Sequence, residues 1–264
     1  MSEPSVLCEI HDAVARITFN RPEQHNAWTY EMEARYFELL DELAADPSVR
    51  AAVLTGTGRA FCPGLDKDLL SQDAAGTIVK PEKRRPMAQA LLFPKPLIAA
   101  VNGACAGVGL IQALAADVRF AAAGANFTTG FVRRGIVAEH AISWLLVRIA
   151  GHANAMDLLL SGRKFGGTEA ASLGVVNRVF AEDELLAAAS AYAQELATWC
   201  APRSLAAIKA QVWDDWLRTW EAAAAEGSRL LDEPARKADI VEGVASFVEK
   251  REPAFEPLTW PPPR

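Results

Sequence analysis

Residues 96–117 read PLIAAVNGACAGVGLIQALAAD, and the order of residue types in this stretch decides what kind of fold the chain adopts. Only Asn102 and Gln112 interrupt the apolar run from Pro96 to Ala116, which approaches the ~20 residues a membrane-spanning helix needs. Three glycines argue against a span. Gly103, Gly107 and Gly109 divide the run into a short apolar strand candidate, Leu97–Val101, a turn and a helix start, and no second span follows. The expectation is a buried strand, turn and helix in a soluble protein.

The same grammar recurs on either side. Val14–Asn20 (VARITFN) alternates and is rich in β-formers, Ala51–Thr55 (AAVLT) is another apolar run, and Val118–Ala122 follows Asp117. Between the first two, Tyr30–Ala45 places Met32, Tyr36, Leu39, Leu40 and Leu43 at helical spacing, with Thr29 as N-cap and Asp46-Pro47 as the stop. A second helix is expected from about Glu139 to Ala150, with Ile142, Leu145, Leu146 and Ile149 on one face. Strands alternating with helices predict an α/β fold with largely parallel pairing. From Glu182 onward the pattern is helical, broken at Ala201-Pro202 and Glu233-Pro234. This divides the chain into a core over residues 1–200 and a C-terminal helical subdomain over residues 201–264. Trp213, Trp216 and Trp220, at i, i+3 and i+7, predict a core or subunit-packing face. Ser71–Pro86 (SQDAAGTIVKPEKRRP) reads as a mobile surface loop whose basic end carries Lys80, Lys83, Arg84 and Arg85, and the tail TWPPPR reads as an unstructured end.

Composition narrows the function. The 264 residues are 51% hydrophobic and 23% charged, and 27 Lys+Arg against 33 Asp+Glu give a net charge of −6. Disordered and disulfide-stapled classes are excluded, and the acidity argues against nucleic acid or an anionic membrane as partner. Cys8, Cys62, Cys105 and Cys200 form no metal-ligand cluster and read as reduced thiols, so no metal site is expected. The opening MSEPSVLCEI has no basic region followed by an apolar run, which makes a cytoplasmic location the expectation.

No GxSxG elbow, GxxxxGK[ST] loop or HExxH helix is present, and Gly56-Thr57-Gly58-Arg59-Ala60-Phe61 has Phe where a dinucleotide fingerprint needs its third glycine. Residues 51–66 (AAVLTGTGRAFCPGLD) and 96–117 instead share one logic: strand, glycine turn, helix start. Such turns expose backbone N–H groups at a helix N-terminus, and two of them face to face hold a developing oxyanion. Two tight structural turns explain the same residues equally well.

At these residues the chain resembles a known family. The array ITFNRPEQHNAW, VLTGTGRAFCPGLD, KPLIAAVNGACAGVGL, AADVRFAA, the GIVAEH region, LLLSGRKFGGTEAASLGVVNRV and EGVASFVEKREPAF is similar, in order and over nearly the whole chain, to the enoyl-CoA hydratase/isomerase (crotonase) superfamily. The resemblance implies an α/β, crotonase-like spiral of ββα turns with a C-terminal helical trimerisation region, a homotrimer or dimer of trimers. It implies an acyl-CoA substrate and no separate cofactor. Its two oxyanion donors fall on the backbone N–H groups of Leu65 and Val108. Phe61, Gly64, Asp66, Gly107, Ile111, Phe131 and Lys250 then surround the substrate, with the Lys80–Arg85 loop and Lys250-Arg251 as candidates for the CoA phosphates. Asp66 and Asp117 also read as hydrogen-bonding turn stabilisers.

The departures bear on the reaction. The two glutamates with which typical hydratases of the family handle water fall here on Ile111 and Phe131, and neither side chain transfers a proton. A carboxylate stands elsewhere, in Gly135-Ile136-Val137-Ala138-Glu139, a motif similar to that of the peroxisomal-type 3,2-enoyl-CoA isomerases with their single catalytic glutamate. Glu139 is therefore the candidate base for moving a double bond from the 3- to the 2-position. Hydration and idle acyl-CoA binding are the rival readings. On a helix His140 would point about 100° away from Glu139, and a glutamate in a first helical turn would favour the helix dipole.

Overall fold

The hairpin of β1 (Val6–His11) and β2 (Val14–Phe19) turns on Asp12 and Ala13, both at positive φ, 47° and 67°, the conformation a two-residue hairpin turn requires. The computed structural model describes residues 3–260. After the hairpin comes α1 (Tyr30–Ala45), whose Thr29 side chain accepts the Met32 N–H as the sequence predicts. One step then repeats three times: a strand in a large sheet, a sharp turn, a strand in a small sheet, a helix. Its copies are β3 (Ala51–Gly56), β4 (Ala60–Cys62) and α2 (Lys67–Ala74); β5 (Leu97–Val101), β6 (Ala104–Ala106) and α3 (Val108–Ala115); and β7 (Val118–Ala122), β8 (Asn126–Thr128) and α4 (Ile142–Ala150). The chain continues through α5 (His152–Ser161), β9 (Lys164–Gly166), α6 (Gly167–Ser172), β10 (Arg178–Phe180), α7 (Leu185–Trp199), α8 (Pro202–Asp214), α9 (Trp220–Leu231) and α10 (Pro234–Glu249).

The large sheet runs β1-β2-β3-β5-β7-β10, parallel everywhere except at the β1/β2 hairpin; the small one runs β4-β6-β8-β9, with only β9 antiparallel. Every residue of β3 and β5 is buried, which is why these strands read as apolar runs rather than as alternation. Helix α7 packs across β2, β3, β5, β7 and β10. Asp117 ties two layers: its carboxylate accepts the Leu97 N–H and the Lys209 ammonium, each at 2.8 Å.

Three expectations change. The Ser71–Pro86 stretch is partly helical, since Ser71–Ala74 completes α2, and most of its basic end is already paired: Lys80 with Asp73, Arg84 with Glu33, Arg85 with Asp41. Trp213 stacks on Trp144 and Trp216 packs against it tilted, with ring centroids at 5.6 and 5.3 Å, but Trp220 does not join them. Helix α8 stops at Asp214, and the Thr219 cap starts α9 with Trp220 exposed. The third is the helix expected from Glu139: it begins at Ile142, because His140 and Ala141 take positive φ, 55° and 64°. Of the tail, Trp260 sits in a groove with Phe37, Leu40 and Pro94, and residues 261–264 lie outside the described residues. Residues 96–116 form strand, strand and helix, and among the described residues no helix is long and apolar enough to cross a membrane.

Candidate active site

The two glycine turns face each other. A Cβ on Gly107 would meet the Gly64 Cα at 3.6 Å, and one on Gly64 would stand 3.4 Å from the Ala106 carbonyl oxygen. Both are at positive φ, 109° for Gly64 and 50° for Gly107, so a side chain at either would strain the backbone as well as close the gap. The first turn is pinned by Trp28, whose N–H donates to the Gly64 carbonyl at 2.8 Å and whose carbonyl accepts the Asp66 N–H at 2.9 Å. Between these bonds the Leu65 N–H has no acceptor among the described residues. The Val108 N–H likewise has none: it opens α3 after Gly107, where helical N–H groups lack partners and the helix dipole is positive.

Both turns line one cavity of about 210 Å³, together with Pro63, Thr129, Gly130, Phe131, Arg134, Ile136, Glu139 and His140. Its far wall comes from α2 and the segment after it, through Leu70, Asp73, Ile78, Lys80 and Arg84. Ion pairs fix that wall. Arg84 grips the buried Glu33 carboxylate with two bonds of 2.8 Å, and Glu33 also accepts the Trp28 indole N–H at 3.2 Å. The guanidinium lies 4.7 Å from the Tyr30 ring centre.

Glu139 enters the cavity from a tight turn. Its carbonyl accepts the Ile142 N–H at 3.1 Å, and the two residues between, His140 and Ala141, are both left-handed, a backbone that costs of order 1–2 kcal/mol per non-glycine residue. His140 Nε2 stands 3.2 Å from Glu139 Oε2. Burial pushes the imidazole below its ordinary value, helped by the cations Arg84 and Lys80 and opposed by Glu139 and Glu33. The arrangement supplies two free N–H donors and, besides the Lys80-paired Asp73, the Glu139 carboxylate around a half-apolar space, which suits proton transfer beside a developing oxyanion.

The chain matches the enoyl-CoA hydratase/isomerase family model over residues 9–257. It is 37% identical to a probable enoyl-CoA hydratase of Rhodobacter capsulatus over 97% of this chain and 99% of that one. It belongs to the enoyl-CoA hydratase/isomerase family. A 1,2-epoxyphenylacetyl-CoA isomerase of Escherichia coli is 33% identical over 95% of this chain and 97% of its own. Among solved structures, a probable enoyl-CoA hydratase/isomerase from Mycobacterium abscessus superposes with a TM-score of 0.86 at 31% identity, covering 96% of this chain and 99% of the other. The family acts on CoA thioesters without a required cofactor, and the repeated strand-strand-helix step is the crotonase spiral.

Against that frame the predicted residues divide. Leu65, Val108, Gly64, Gly107, Phe131 and Glu139 line the cavity. Phe61 does not; it is fully buried against Phe19 in the aromatic core, ring centres 5.4 Å apart. Ile111 is fully buried inside α3. Asp66 is turned away, accepting the Asp68 N–H as cap of α2 and pairing with Arg21 at 3.2 Å, the structural role also expected of it. Lys250 ends α10, and Arg251 is held by Glu242 and Glu249, so neither lines the cavity within one chain. Most of the basic loop is also spent on carboxylates, leaving Lys83 without an ion pair among the described residues. The structure adds His140, Arg134 and Thr129. The first was misplaced by extending the helix; the other two carry no sequence signal of their own.

Proposed function

We propose that this enzyme isomerises 3-enoyl-CoA to 2-enoyl-CoA, with Glu139 as the single base and the Leu65 and Val108 N–H groups as the oxyanion hole. The observation that carries the reading is one cavity holding both free donors and Glu139; the resemblance, which puts Ile111 and Phe131 where typical hydratases carry glutamates, supports it. Glu139 takes a proton from C2, the thioester oxygen gains charge against the two donors, the C3–C4 double bond moves to C2–C3, and the same carboxylate returns the proton to C4. Atoms balance without water. The other carboxylate lining the cavity, Asp73, is occupied by Lys80 at 2.9 Å. A volume of about 210 Å³ suits the reacting acyl end, with the nucleotide end of CoA outside, since sites that enclose whole ligands run to ~300–1,000 Å³. Gly64, Gly107 and Phe131 border the acyl group in this reading, and Lys250 serves the CoA of a neighbouring subunit. The relative named as an isomerase supports a water-free reaction. We also propose the division into a 1–200 core and a 201–264 helical subdomain, a homotrimer or dimer of trimers, and a cytoplasmic site of action, which four unpaired cysteines suit.

Hydration is the second reading, supported by relatives named as probable hydratases. Parallel incubation with 3-enoyl-CoA and 2-enoyl-CoA decides between them. Isomerisation gives the conjugated-thioester absorbance from 3-enoyl-CoA with no mass change and leaves crotonyl-CoA unhydrated. A gain of one water on crotonyl-CoA at ~10 per second or faster overturns the proposal.

A further inference from the structure

We infer that His140 is a positioning residue for Glu139: its Nε2–H holds one carboxylate oxygen, so that the other performs both proton transfers. The inference rests on Glu139 being the base. Three observations meet on it. The first is the contact itself, 3.2 Å from His140 Nε2 to Glu139 Oε2. Among the described residues that carboxylate accepts no hydrogen bond in the present geometry and has no other charged partner within 4 Å, so His140 Nε2 is the neighbour placed to orient it once the ring turns its N–H toward Oε2. A base that removes a proton from C2 and delivers it to C4 must keep a fixed orientation through both steps, because a displacement of about 1 Å is enough to cost ~10²-fold.

The second observation is the backbone. Glu139–Ile142 is a turn with both central residues at positive φ, for which Asn-Gly is the favoured pair. Here the pair is His-Ala. Histidine tolerates the left-handed region better than most side chains and alanine does not, a cost this chain also meets at Ala13 of the β1–β2 hairpin. Strain of this kind persists where surrounding structure enforces it, and it clusters at functional sites.

The third is electrostatic. His140 faces Glu139 and Glu33 on one side of the balance and Arg84 and Lys80 on the other, with Arg134 and Asp73 lining the same cavity, and burial keeps the imidazole neutral. A neutral N–H orients the carboxylate without neutralising it. An imidazolium would pair with Glu139 and weaken it as a base, so turnover should fall on the acid side of pH 6.5, as the ring takes its proton.

The test compares H140A, H140N and H140Q with E139Q and the double variant E139Q/H140A, reading 3-enoyl-CoA turnover and exchange of the C2 proton in D2O. H140A should lose ~10- to 100-fold in kcat with KM within about threefold. H140N separates the roles: asparagine suits the turn better than histidine, so the fold should be at least as stable, but its shorter side chain does not reach Oε2 and kcat should drop as in H140A. H140Q, whose amide nitrogen has the reach of Nε2, should recover much of the loss and lack the imidazole step in its pH profile. In the E139Q background, H140A should change nothing further. Parental kcat in H140N and H140A, with E139Q inactive, overturns the inference and leaves Glu139 as the base. Turnover in E139Q, or a parent enzyme with neither turnover nor C2 exchange, overturns both.

Discussion

Glu139 is where two physical accounts of one residue give opposite predictions. A glutamate whose task is the helix dipole contributes ~0.3–1 kcal/mol of stability and nothing to turnover. The structure weakens that account, because Glu139 precedes α4 by three residues and reaches the cavity instead. Replacing it by glutamine keeps size and hydrogen-bonding capacity but removes the group that holds the proton. E139Q should therefore lose ~10²–10⁴ in kcat on 3-enoyl-CoA while KM stays within a fewfold of parental, as measured by steady-state kinetics. Turnover within a fewfold of parental would move attention to His140 or Asp73. The candidacy of Glu139 was legible in sequence through the resemblance of Gly135–Glu139 to an isomerase motif, with the apolar neighbourhood as support. The contact with His140 was not. Apolar periodicity from Ile142 onward extends equally well back to Glu139, and a left-handed His-Ala pair has no glycine or asparagine to announce it.

At the scale of elements, what positions the second donor is the close approach of α3 to β4. A Cβ on Gly109 would lie 2.1 Å from the Cys62 carbonyl oxygen and 2.7 Å from the Cys62 Cβ, and neither atom is the far end of a flexible side chain. Gly109→Ala must push α3 away from β4, carrying the Val108 N–H with it. The expected outcome is a stability loss of ~1–3 kcal/mol in denaturant or thermal unfolding, with a fall in kcat from the displaced donor. An alanine variant with parental stability and turnover would mean that α3 has room to spare there. This helix start with its glycines, and the bounds of α1 and β7, are legible in sequence because capping, periodicity and β-rich runs are local signals. The strands β4, β6, β8, β9 and β10, three residues each, are not. Three residues carry no periodicity, and such strands exist because the spiral brings their neighbours alongside.

For the whole molecule, α10 decides how a single chain relates to its surroundings, because its apolar and polar faces are inverted for a monomer. Toward the chain it presents Asp239, paired with Arg203 at 2.7 Å, Gly243 against Phe255, and the buried Ser246. Outward it presents Val241, Val244, Phe247 and Val248, exposed by 70, 59, 84 and 71%, and Leu217 and Trp220 are exposed at the junction of α8 and α9. A helical stripe of this kind left open to water is the signature of a covered interface. If the proposed trimer closes through this stripe, Lys250, three residues beyond Phe247, comes with it to the neighbouring subunit. Phe247→Glu makes no change inside the chain, since the ring touches little of it, but buries a charge wherever two copies meet. Sedimentation equilibrium should show the parent as a trimer or hexamer and the variant shifted toward monomer, with unchanged far-UV circular dichroism. If Lys250 serves a neighbouring subunit, the same variant should also raise KM for acyl-CoA, and that rise should exceed any produced by Phe247→Leu, which keeps the stripe apolar. A parent that sediments as a monomer, or an F247E variant of parental mass, would mean the stripe is not the subunit interface.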